Sequence, residues 1–189
     1  EISACLVGSE MCIRDRLGTK AFYLSCLWSL GRIFMGLFAG ILAGVLLAAL
    51  CAASGLADSL ISPAVSVIKA TPVASIIILM LYVLGKSAVP MVASLLMVIP
   101  IVFVNVRRGI DSVPASEREV AQVYGFGFGK RLRYLTLPSV LPYFSAACRS
   151  ALGLAWKAGV AAEVICTPKN SIGGKLYAVS YTHLRAHET

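Results

Sequence analysis

The sequence predicts an all-α protein: a polytopic transmembrane bundle of about four helices, carrying a helix-turn-helix on its cytosolic side. Three observations lead there. The 189-residue chain is 58% hydrophobic and only 14% charged, with a mean hydropathy of +0.83, whereas a soluble domain carries about 25% charged residues. Its apolar residues fall in long runs between short turns, each near the roughly 20 residues a helix needs to cross about 30 Å of hydrocarbon. Its Lys and Arg gather in one block, residues 107–138. In a soluble chain a net charge of +8 would point to nucleic acid. Clustered in a loop of an apolar chain, it sets orientation in the bilayer instead, and no nucleic-acid partner is expected.

The transmembrane region is expected over residues 17–178. The segments outside it, EISACLVGSEMCIRDR at 1–16 and VSYTHLRAHET at 179–189, lack helical periodicity and are expected to be non-native tails resembling translated sequencing adapters. AFYLSCLWSLGR reads as an interfacial segment, with Trp28 and Arg32 at the boundary. The first span is expected at about 31–55, where Gly36, Gly40 and Gly44 recur every fourth residue. That spacing predicts a close helix–helix interface. Asp58–Pro63 reads as a turn. The second span, about 64–84, holds Lys69, which can snorkel, and Pro72, which should kink it. Gly85–Ser87 is the next turn. The third span, about 88–106, has Pro90 in its first turn and Pro100 inside it. The fourth, about 139–166, carries Arg149, Lys157 and Glu163.

Between the third and fourth spans stand Arg107, Arg108, Arg118, Lys130, Arg131 and Arg133, against Asp111, Glu117 and Glu119. So many cations in one short loop place it in the cytosol. Ser116 and Glu119 fit a capping box, and Gly125 fits a left-handed helix terminator. A short helix over 116–124, a turn through GFGFG, and a short basic helix halted by Pro138 follow from this. So short a helix needs a surface to pack on, either bilayer or partner protein.

Within that loop, Glu119-Val120-Ala121, three residues, Gly125, nine residues, then Leu135-Thr136-Leu137-Pro138 resembles a pattern of membrane subunits of ATP-binding-cassette importers, EAA-x3-G-x9-I-x-LP. Val120 and Leu135 depart from it by apolar exchanges. SLGR at 29–32, KATP at 69–72 and GLAWKAGVAAEV at 153–164 look like the nitrate/sulfonate/taurine-type branch, and the likeness covers about residues 20–178. The resemblance implies a type I importer permease fold in the cell inner membrane. It implies a coupling helix whose Glu119, Ala121, Gly125, Phe126, Leu137 and Pro138 engage a separate ATPase. It further implies two ATPase copies, a second permease subunit forming a homodimer, an extracytoplasmic solute-binding protein, and a small solute, an anion such as nitrate, a sulfonate or taurine.

The chain itself has no GxxxxGK[ST] phosphate loop, since GFGFGKR has the wrong spacing. It is therefore expected to be a transport subunit rather than an enzyme, with no cofactor and no metal. Its six cysteines form no CxxC pair. Charged residues within a span cost roughly 2.5–3.5 kcal/mol each at its centre, so Arg149, Lys157 and Glu163 are expected to face the bundle interior or lie near the ends. Arg149 and Lys157 lie about 80° apart on a helix, on a side that could attract a passing anion; Asn105 and Tyr82 are further candidates for the path. The alternative is structural, with Glu163 paired to Lys157 or a neighbouring helix and Arg149 holding backbone carbonyls. A secondary transporter driven by an ion gradient would need paired intramembrane carboxylates, and Glu163 stands alone. An intramembrane enzyme would need a base, and the histidines are His183 and His187 in the suspect tail.

Overall fold

The computed structural model describes residues 20–168, 171–174 and 177; the tails expected at 1–16 and 179–189 lie outside them. The described residues are helical between short breaks, with no strand among them. Helix α1 is Lys20–Ala53, α2 Gly55–Ala70, α3 Val73–Leu84, α4 Val89–Asp111, α5 Ala115–Val123 and α6 Phe128–Arg131; a π-helical segment, Leu132–Thr136, leads into α7, Leu137–Cys166.

Several boundaries differ from expectation, each for a local reason. The interfacial segment and first span are one helix of 34 residues. No break falls at Trp28 or Arg32, and between them the Ser29 hydroxyl is buried against α7. The turn expected at Asp58–Pro63 is helical; the chain turns at Ser54, and Asp58 lies in the first turn of α2, where a carboxylate suits the helix dipole. Pro72 breaks the second span instead of kinking it. Thr71 adopts the extended conformation (φ −77, ψ 133) favoured before proline, and α2 and α3 meet at 103°. Pro138 halts nothing: it sits in the first turn of α7. Proline cannot accept a normal α-helical register behind it, since its ring crowds the carbonyl four residues back. The π segment widens the turn there, with the Leu137 N–H donating five residues back to the Leu132 carbonyl.

Tyr23–Ala53 and Val89–Asp111 are long and apolar enough to cross a membrane, and the bent α2–α3 pair makes a third if counted as one span. Helix α7 is 30 residues long but carries three ionisable side chains. Helix α4 is the hub, packing most extensively on α7 and α1. Val98, Val102, Phe103 and Val106 of α4 form one core with Ile33, Leu37 and Ala48 of α1 and Ala147, Ala151 and Ala155 of α7.

The glycine stripe of α1 is the α1–α4 contact. A Cβ on Gly36 would run into the Met91 carbonyl, one on Gly40 would lie 2.8 Å from Val98 Cβ, and one on Gly44 2.9 Å from Val102 Cβ. In a membrane, where burial against lipid gains little, such close backbone approach is what holds helices together. Helix α7 uses the same device with Ala147, Ala151, Ala155 and Gly159, a stripe the sequence analysis passed over. At Gly159 the three helices meet: a Cβ there would stand 2.5 Å from Ile33 and 2.8 Å from Ser94 Oγ. Ser94 donates to the Pro90 carbonyl (2.9 Å) and lies 3.1 Å from the Ala155 carbonyl, so its hydroxyl is satisfied inside the apolar junction.

Candidate functional site

The two ends of the bundle are chemically different. At one end α1 and α7 share a buried polar knot. Glu163 is fully buried. Ser29 donates its hydroxyl to Glu163 Oε2 at 2.8 Å, the Gly173 N–H donates to the same oxygen at 3.3 Å, and Ser29 Oγ accepts the Ile172 N–H at 3.1 Å. The hydrogen bonds of Glu163 thus run to α1 and to the segment following α7, not to Lys157. Sequence alone had no signal for Ser29 as its partner.

At the other end lie the ion pairs and the hairpin formed by α5, α6 and the π-helical segment. Arg107 Nη2 reaches Asp58 at 2.9 Å and Nε reaches Asp111 at 3.3 Å, tying α2 to the end of α4. Arg118 of α5 donates to the Ile110 carbonyl at 3.2 Å, which fastens the hairpin to α4.

Helix α5 starts one residue earlier than expected, with Pro114 at its N-cap and no side-chain cap. The Ser116–Glu119 capping box is not formed, because Ser116 already lies within the first turn; the Arg118 N–H instead donates to the Pro114 carbonyl at 3.2 Å. The C-terminus follows expectation closely. Gly125 has φ +61. Its N–H donates to Gln122 at 3.0 Å and the Phe126 N–H donates to Ala121 at 2.9 Å. That pair of bonds is a Schellman closure, which needs a left-handed residue at the glycine position. Ala121, 3% exposed, is where α5 is pinned. Ala121, Val120 and Phe126 border one depression of about 300 Å³ together with Tyr134 and Leu135, and Phe126 is exposed.

Residues Glu119, Val120, Val123 and Tyr124 face outward, Val123 at 85% exposure. A nine-residue helix is left presenting apolar side chains and an acid on a glycine-terminated rigid turn. Leu137 and Pro138 are exposed at the start of α7, so the hairpin is continuous through the π segment with a spanning-length helix.

The candidates for the path are not brought together. Arg149 and Lys157 are exposed on the side of α7 away from its alanine stripe, while Glu163 is buried. Asn105 spends its amide on the Ile101 carbonyl at 2.8 Å, and Tyr82 is 95% exposed on α3. Among the described residues, no group of three or more His, Cys, Asp or Glu is placed to hold a metal ion.

The profile of the family described as "Binding-protein-dependent transport system inner membrane component" matches residues 40–180. The chain is 33% identical over 72 residues to the bicarbonate transport system permease protein CmpB of Synechococcus elongatus, covering 38% of this chain and 26% of that protein. It is 36% identical over 64 residues to the nitrate import permease protein NrtB of the same organism, covering 34% and 23%. It is 28% identical over 156 residues to CmpB of a Synechocystis species, covering 82% and 55%. The chain thus spans about a quarter to about half of the length of these relatives.

Proposed function

This chain belongs to the family of inner membrane components of binding-protein-dependent transport systems and is a multi-pass membrane protein, and from that premise we propose that it forms the membrane path of an ATP-driven importer. The hairpin 116–138 is the part that grips a separate ATPase. The observation that carries this reading is the Schellman-closed helix α5, which holds Glu119, Val123 and Tyr124 outward at the arginine-rich end of the bundle. An outward apolar face on a short helix fits a groove on a partner, and the π segment transmits its movement directly into α7. ATP-driven closure of two ATPase copies would draw two such hairpins together and rock the attached helices, a rigid-body switch.

On this reading the hairpin is cytosolic, a second permease copy completes the path, and a binding protein delivers solute to the opposite end. The exposed strip of α7 bearing Arg149 and Lys157 supports a path for a small anion. Cations on a spanning face are costly against lipid, so a polar passage or a second subunit must cover them. Bicarbonate and nitrate, the solutes named for the similar permeases, are of the right charge.

The test is a pair of variants in the assembled transporter. Glu119→Lys reverses the charge on the outward face, and Gly125→Val forbids the left-handed turn. Both should insert normally yet lose the ATPase on co-purification or lose coupled uptake. Normal uptake with both variants would remove the coupling assignment.

A further inference from the structure

One half-open cavity at the arginine-rich end is lined by unmatched positive charge. It has a volume of about 190 Å³ and is bordered by Arg107, Arg118, Arg131, Asp111 and Thr136. The three guanidinium groups come from different elements: the last turns of α4, the first turns of α5, and the end of α6. Two of the three donor positions on Arg107 are used, by Asp58 and Asp111. Its Nη1 is buried and has no hydrogen-bond partner. Arg118 spends one nitrogen on the Ile110 carbonyl. Three cations therefore face Asp111 inside the cavity and Asp58 beyond it, which leaves the site net positive.

A buried N–H with no acceptor is unfavourable, and like charges gathered in one pocket repel. An anion in the space would offset the repulsion among the three cations. Guanidinium forks match the oxygens of a phosphate, approached here from three sides, and Thr136 adds a hydroxyl. The volume is below the roughly 300–1,000 Å³ of ordinary small-molecule pockets, which suits one tetrahedral anion and excludes a nucleotide. We propose that this cavity binds a single phosphoryl group, from an anionic lipid headgroup or from free phosphate, held by Arg107, Arg118 and Arg131. Such a ligand would bridge α4 to both halves of the hairpin and brace the coupling element against the bundle. Anionic lipid is concentrated at the membrane face that attracts clustered Lys and Arg.

The test uses the full chain in nanodiscs. One arm dopes phosphatidylcholine discs with phosphatidylglycerol and reads retained lipid by native mass spectrometry. The other uses phosphatidylcholine discs and measures inorganic phosphate binding by equilibrium dialysis. Arg131→Gln is the main variant, because Arg131 is exposed and makes no ion pair of the fold, whereas Arg107→Gln would also break the bond to Asp58. Arg118→Gln is the second. One phosphoryl group should bind per chain in one of the arms, weakened about tenfold or more by either variant, the loss of one charge-assisted contact, with helical circular dichroism unchanged. Retention of phosphatidylglycerol identifies a lipid; binding in the dialysis arm identifies free phosphate. Binding in neither arm, or equal binding by wild type and both variants, overturns the proposal. Neither arm reads uptake, so the transport reading stands or falls separately.

Discussion

Glu163 is the residue whose environment says most about its role. A carboxyl group withdrawn from solvent needs donors, and here they come from the Ser29 hydroxyl and the Gly173 N–H. Ser29 is 134 residues away in sequence, which is why composition and spacing could show the acid but not its partner. Removing the hydroxyl with Ser29→Ala leaves one carboxylate oxygen short of a donor. The expected cost is about 1–3 kcal/mol, seen as a lower melting temperature of the detergent-solubilised protein. Glu163→Gln keeps the shape and an acceptor for both donors, so it should cost less than Ser29→Ala. If Ser29→Ala melts like the wild type, the knot contributes nothing to stability. Gly125 is the opposite case: its role was legible because a glycine directly after a short apolar-faced helix has one common use, and the positive φ follows from it.

At the scale of elements, the stripes and the hairpin separate what spacing can reveal from what packing decides. Glycines four apart on α1 announce a close contact, and the helix they meet is α4. The alanine stripe of α7 has the same spacing but a weaker signal, since alanine is common in any helix. The turn expected at Asp58–Pro63 failed because a polar residue was read as an end: Asp58 is held by Arg107 of α4. Proline was read as a stop at position 138, but the π segment absorbs it. Gly40→Ala should therefore destabilise the chain by about 1–3 kcal/mol, the range for overpacking, because its Cβ would sit 2.8 Å from Val98 Cβ. Gly31→Ala, on the same helix with nothing within 4 Å of the new Cβ, should be neutral or stabilising by up to about 1 kcal/mol. Thermal melts of the two variants in one detergent decide the matter; equal shifts would mean that the stripe is not a packed seam.

The molecule as a whole has two unlike ends. Val89 at the start of α4 packs with Ala162 and Cys166 near the end of α7, so the Gly85–Ser87 turn lies at the same end as Glu163. Asp58, Arg107 and the hairpin mark the other. Clustered Arg and Lys are held on the cytosolic side because moving them across the bilayer is unfavourable, and the turn at the opposite end offers only Lys86. The orientation proposed above therefore has Lys86 outside and Lys130 inside. In a background with the native cysteines replaced, Lys86→Cys should react with an impermeant maleimide in intact spheroplasts, and Lys130→Cys only after lysis. Both positions are exposed in the fold, so a failure to label could not be blamed on burial within the chain. Labelling of Lys130→Cys in intact cells would put the hairpin on the wrong side of the membrane for any ATPase. Helix α5 would then need another partner for Val123 and Tyr124.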